Sequence, residues 1–126
     1  MTTKNKKTEK QSQIVDVDCV ISTTKEGNGL LLSWEGDMYI TNIQFLSELI
    51  EGKKLTKEGK VAKAVQLGLL TKDGIDETEL FLTLKGKSLY FCPSKGKLFV
   101  VPVSTIQKVI DGLVDSTHMG EFVDQE

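Results

Sequence analysis

Apolar residues follow the same order in two segments of the chain, 60 positions apart. In each segment, alternating apolar and polar runs are separated by turn residues, and an apolar stripe with helical spacing follows. The segments are 20–52 and 80–112, and they align without a gap. We interpret them as an internal repeat in which each copy is a strand-rich unit that ends in a short helix.

Glycines mark the turns in both segments. Gly36 and Gly96 each lie between two apolar runs, where a hairpin turn requires a positive φ that glycine adopts without steric cost. Gly52 follows the first helical stripe and is expected to end that helix in the left-handed conformation. Ser104 and Gln107 have the spacing of a capping box at the start of the second helix.

A lysine-rich segment separates the two copies. Val61, Ala64 and Val65 can share one helical face there, which predicts a helix over roughly 58–68. The predicted fold class is therefore α+β, with two strand-rich units and a lysine-rich helix between them. We expect one domain over 14–118, with a flexible basic tail at 1–13 and a flexible acidic tail at 119–126.

The charge is strongly segregated along the chain, although the net charge is only -2. Residues 53–97 carry ten lysines and five acids, whereas 16–51 carry one lysine and seven acids. All sixteen cations are lysine. Arginine is the residue that most often binds the edges of guanine, so a chain without arginine is poorly suited to sequence-specific recognition of duplex DNA. Contact between lysine side chains and phosphates remains open.

The central lysines are the candidate binding residues, with ordinary solvated lysine as the alternative. Trp34, the only tryptophan, adjoins a turn, where it can stack on a base or close the rim of the core. The candidate nucleic-acid-binding residues are Lys53, Lys54, Lys57, Lys60, Lys63, Lys85, Lys87, Lys95, Lys97 and Trp34.

Catalytic and metal chemistry find little support in the sequence. Cys19 and Cys92 lie in apolar strand-like runs, and His118 is the only histidine, so we interpret both cysteines as free thiols and expect no zinc site. Asp16 and Asp18 are paired carboxylates without a positioned partner in the sequence. We therefore expect no enzyme activity, no catalytic residues, no metal and no cofactor.

Two family resemblances bear on function. The pattern of strands, glycine turn and terminal helix in 20–52 and 80–112 resembles the PC4, Whirly and PUR group, which implies binding of single-stranded nucleic acid by paired sheet-and-helix units. VAKAVQLGLLTKDGIDETELFLTLKGKSL at 61–89 resembles the recognition helix and wing of winged-helix regulators, which would place Lys60 and Lys63 against DNA.

The sequence leaves two main classes of function open. One is a small non-enzymatic protein that binds nucleic acid, with single-stranded nucleic acid as the expected partner, or acts as a regulator. The other is a protein-interaction module that forms a homodimer or docks on another protein. With no apolar run of membrane-spanning length and no apolar segment after the lysine-rich start, we expect a cytoplasmic protein with no membrane partner.

Overall fold

The structure is a computed structural model that describes residues 12–124, and eight strands and two short helices account for most of them. Side chains are described for residues 19–122. The first half contains β1 (Ser12–Thr23), β2 (Gly29–Trp34), β3 (Asp37–Asn42), α1 (Ile43–Ile50) and β4 (Ala64–Thr71). The second half contains β5 (Gly74–Lys85), β6 (Ser88–Ser94), β7 (Lys97–Pro102), α2 (Val103–Ile110) and β8 (Ser116–Asp124).

The eight strands form one closed antiparallel barrel. Each strand pairs with the next strand in the sequence, and β8 returns to pair with β1 over residues 12–22 of β1. Closure pairs strands that would otherwise be edges, so no strand of the described barrel is left as a template for pairing with another chain.

Every second side chain along the strands points into the barrel interior, and most of these side chains are apolar. Leu30 and Leu32 of β2 are fully buried, and so are Phe99 and Val101 of β7, while their neighbours along each strand point outward. Phe91 of β6 packs at 6.2 Å from the Phe99 ring. Strands from all sides of the barrel therefore contribute to one apolar core.

Both predicted hairpin turns are confirmed. Gly36 joins β2 to β3 with a φ of 84°, and Gly96 joins β6 to β7 with a φ of 86°. Glu35 beside Gly36 also has a positive φ, of 50°, which matches a two-residue hairpin loop in which both central residues are left-handed.

The two predicted amphipathic helices are present, but one of the predicted caps is wrong. Leu46 and Leu49 of α1 face the core, as do Ile106 and Val109 of α2. Their flanking residues differ from one helix to the other. The α1 helix is capped by the Asn42 side chain, which accepts a hydrogen bond of 3.1 Å from the Phe45 amide. The N-cap of α2 is Pro102, without a side-chain cap, so Ser104 and Gln107 form no capping box. Gly52 ends α1 with a φ of 75°, as expected.

The predicted lysine-rich helix at 58–68 is wrong. Residues 51–63 form a loop, and β4 begins at Ala64. Val65 and Leu67 are buried while Gln66 between them is exposed, which is the alternation of a strand. Seven residue pairs join β4 to β5, the next strand along the chain, so pairing in this hairpin decides the conformation of the stretch.

The predicted α+β class with two repeated units is also wrong. Strands from both halves join a single sheet, and a strand, not a helix, ends each half of the barrel. The predicted internal repeat of two strand-rich units is wrong as well, because β4 pairs with β5 and β8 pairs with β1 across the halves. Residues 1–11 and 125–126 lie outside the described residues, and β8 includes 119–124 from the predicted acidic tail.

Candidate nucleic-acid interface

Both helices lie at the same end of the barrel. Neighbouring strands are antiparallel all the way round, so β3 and β7 run in the same direction, and the helices that follow them emerge at one end. Ile50 of α1 and Val103 of α2 line a shared groove with Leu84 of β5. We call this region the helix end; it comprises residues 24–28, 43–63, 85–87 and 103–115.

The helix end concentrates the positive charge of the structure. Nine of the twelve lysines within the described residues lie there, against six acidic residues in the same segments. The lysines are Lys25, Lys53, Lys54, Lys57, Lys60, Lys63, Lys85, Lys87 and Lys108. The acids are Glu26, Glu48, Glu51, Glu58, Asp111 and Asp115.

The loop at 51–63 is held in a compact shape. Leu55 and Val61 form an isolated antiparallel bridge, and the Thr56 amide donates a hydrogen bond of 2.7 Å to the Lys60 carbonyl oxygen. The Ala62 amide donates another, of 2.8 Å, to the Lys54 carbonyl oxygen. These bonds fold the loop into a small hairpin that carries exposed lysines on an ordered backbone.

Two of the loop lysines make local contacts. The Lys53 ammonium lies 3.3 Å from a Glu51 carboxylate oxygen, in an exposed pair that contributes little stability. The Lys54 ammonium lies 4.3 Å from the centre of the Phe45 ring, in cation–π geometry. Phe45 is 48% exposed, so the helix end pairs an accessible aromatic ring with its cations.

An open groove of about 660 Å³ separates α2 from the β5–β6 turn. Its floor includes Leu84 and Val103, and Lys87 and Gln107 supply polar groups to its lining. The Val103 amide donates a hydrogen bond of 2.8 Å to the Lys87 carbonyl oxygen, which ties the start of α2 to the turn.

Three predicted binding residues lie at the opposite end of the barrel. Lys95 and Lys97 flank the β6–β7 turn, and the Lys97 ammonium pairs with a Glu121 carboxylate oxygen at 3.1 Å. Trp34 ends β2 at the same end and packs against Phe99 with their ring centres 5.5 Å apart. The structure therefore brings together seven of the nine predicted lysines and separates them from Trp34.

Three residues of the helix end were not singled out in the sequence. Phe45 lies outside the apolar stripe of α1, and this position in the sequence indicates that its side chain is exposed. Lys25 and Lys108 belong to the β1–β2 turn and to α2, and only barrel closure brings them to the same end as the loop lysines.

Among the side chains that the structure describes, the titratable groups with clearly shifted pKa values belong to the interior. Burial raises the pKa of the Cys19 thiol to about 12, and the sulfur lies 3.6 Å from the Met119 sulfur. Burial, followed by the negative charge of Asp37, also raises the pKa of Tyr39. A thiol held in its neutral form is a poor nucleophile, so Cys19 has the character of a core residue.

Neither metal sites nor membrane-spanning helices are found in the described part of the chain. Among the residues with described side chains, no three His, Cys, Asp or Glu residues are grouped so that they could hold a metal ion. Within residues 12–124, no helix is both long enough and apolar enough to cross a membrane.

Comparison with protein-family models, curated proteins and solved structures finds no match for this chain. The resemblances to the PC4, Whirly and PUR group and to winged-helix regulators therefore stay predictions.

Proposed function

We propose that this protein is a non-enzymatic binding protein whose helix end contacts single-stranded nucleic acid. The observation that carries the proposal is the collection of nine lysines at one end of the barrel from four separate segments of the chain. Exposed ammonium groups attract the phosphate backbone and release its condensed counterions on binding. The chain supplies lysine alone, which suits phosphate contact better than the reading of duplex base edges.

Phe45 favours a single strand over a duplex. Its ring is half exposed beside the loop lysines, and an unpaired base can stack on such a ring while the adjoining phosphates contact the cations. Bases inside a duplex are already stacked on each other and offer no free face. We therefore expect the affinity to be higher for a single strand than for a duplex of the same length.

A second candidate is docking of a protein with an acidic surface on the same end. Leu55, Val61 and Leu113 are exposed there, and Leu113 is 71% exposed, so the helix end also offers apolar contacts. Such an interface would lose less affinity in salt than phosphate binding would, because apolar burial is not screened.

The test is fluorescence anisotropy of labelled single-stranded and duplex oligonucleotides over a salt series. The variant Lys57→Gln/Lys60→Gln is compared with Lys72→Gln/Lys95→Gln, which changes the net charge equally at the opposite end. If both loop lysines contact phosphates, the slope of log affinity against log salt falls by about 1.4 in the first variant, at about 0.7 per contact. The second variant should keep the slope of the unmodified protein.

Two outcomes contradict the proposal. Absence of binding at low salt would exclude a phosphate-contacting function. An equal loss of affinity in both variants would show that net charge, and not the helix end, governs binding. Phe45→Leu should weaken binding to the single strand by about 1 kcal/mol or more if a base stacks on this ring.

A further inference from the structure

The outer surface of the second half of the barrel carries an apolar patch, distinct from the helix end. Phe81 and Leu98 are 45% and 37% exposed, although both belong to strands of the barrel wall. We call this surface the outer patch; it is formed by Phe81, Tyr90, Cys92, Leu98 and Phe122. Contiguous apolar surface of this kind on a folded domain commonly marks an interaction site.

Two aromatic rings of the outer patch pack against each other without a partner. The Tyr90 and Phe122 rings stack with their centres 5.8 Å apart and their planes 13° apart. Val100 lies between their strands on the outer face and is only 3% exposed. Because these side chains are already packed, binding costs little further side-chain entropy.

The charges at the two ends of the patch are opposite. Along β5, residues 79, 81, 83 and 85 point outward, since Leu82 between them is buried in the core. Phe81 and Thr83 are therefore flanked by two charged outward residues, Glu79 on one side and Lys85 on the other. Glu79 and Lys85 are about 20 Å apart along the strand. A polyanion would be attracted by Lys85 and repelled by Glu79.

The same arrangement is self-complementary. A two-fold axis that passes opposite Leu82 would run β5 of a second copy antiparallel to β5 of the first. Lys85 of each copy would then face Glu79 of the other, and Phe81 of each copy would face Thr83 of the other. Because the barrel formed by residues 12–124 is closed and has no free edge strand, outward side chains are the groups that it offers for such contact.

We propose that the outer patch is the interface of a two-fold homodimer in which the β5 strands of two copies face each other antiparallel. The patch covers part of one barrel wall, so the interface belongs to the small, weak class and the dimer should depend on concentration. The loop lysines at 53–63 take no part in it, whereas Lys85 belongs both to the helix end and to this interface.

Sedimentation velocity and light scattering, up to about 1 mM protein, test the interface at the concentrations that weak interfaces need. The chain offers a charge-swap test with Glu79→Lys, Lys85→Glu and the double variant that carries both changes. Each single change places like charges together at both symmetry-related contacts and should raise the dimer Kd at least about 10-fold. The double variant re-forms both opposite-charge contacts and should bring the Kd back to within about 3-fold of the unmodified protein.

A matched phenylalanine pair supplies the control. Phe81 and Phe45 are 45% and 48% exposed, and only Phe81 belongs to the outer patch. Phe81→Ser should abolish the dimer, whereas Phe45→Ser should leave the Kd unchanged, with circular dichroism showing that both variants fold. The proposal is overturned if the protein stays monomeric at all concentrations, if the mass grows beyond a dimer, or if the double variant fails to recover association.

The outcome is separable from that of the nucleic-acid proposal. Lys57→Gln/Lys60→Gln should dimerise normally, and Phe81→Ser should bind oligonucleotides normally in dilute solution. Loss of dimerisation in the loop variant would contradict the assignment of the interface to the outer patch.

Discussion

The burial of Leu67 in β4 tests whether this part of the chain is a barrel strand or the helix that its sequence suggests. The Leu67 side chain is 1% exposed in the core, whereas Leu70 on the same strand is 39% exposed. In a helix over 58–68, the core face would instead contain Val61, which is 48% exposed in the barrel. Substitution of each of these residues by alanine therefore reports the conformation of the segment.

The expected losses differ widely in size. Leu67→Ala removes a fully buried side chain and leaves a cavity, which should cost about 3 kcal/mol of unfolding free energy. Leu70→Ala removes a partly exposed side chain that leaves no closed cavity, and it should cost about 1 kcal/mol or less. Val61→Ala should lie within about 0.5 kcal/mol of the unmodified protein.

Unfolding in guanidinium chloride, followed by Trp34 fluorescence, measures these differences. Trp34 packs against Phe99 of the core, so its emission should change when the barrel opens. For a domain of this size, a loss of about 3 kcal/mol should lower Tm by about 12 °C. The reasoning is refuted if Leu67→Ala costs no more than Leu70→Ala, or if Val61→Ala is the most destabilising of the three.

Two further predictions test the interior and the helix caps. The first compares single-thiol variants of the folded protein at pH 8, in which an aromatic disulfide reagent should react with Cys92 at least about 1000-fold faster than with Cys19. The reason is that burial raises the pKa of Cys19 to about 12 and shields its sulfur from the reagent. Similar rates for the two thiols would contradict a closed barrel. The second compares two helix caps by thermal unfolding. Asn42→Ala should lower the free energy of unfolding by about 1 kcal/mol, because it removes the α1 N-cap, whereas Ser104→Ala should lower it by less than about 0.5 kcal/mol. Equal losses would mean that Ser104 caps α2.

Part of the candidate site followed from local sequence. The lysine content of 53–63 and the turn lysines Lys85 and Lys87 are visible in the chain, and these residues do lie together at the helix end. Lys95, Lys97 and Trp34 do not join them, because β6 carries the chain from one end of the barrel to the other between the two lysine pairs. Position along the sequence says little about which end of a barrel a turn occupies until the number and direction of the strands are known.

The sequence by itself determined the elements that depend on neighbouring residues. The hairpins at Gly36 and Gly96 follow from the need for positive φ, and the two helices follow from apolar residues at helical spacing. These features are decided within a few residues of chain, and distant contacts do not overturn them.

Only the tertiary structure decided the conformation of 58–68, the closure of the barrel and the position of the outer patch. The apolar residues at 61, 64 and 65 suit a helix, but pairing with β5 forms a ladder that a helix there cannot make. Closure likewise rests on β8 meeting β1, about one hundred residues earlier in the chain. The β1–β8 hydrogen bonds leave no local signature. The order of the strands in the barrel places the aromatic residues of β6 and β8 on the same outer wall as Glu79, Phe81 and Lys85.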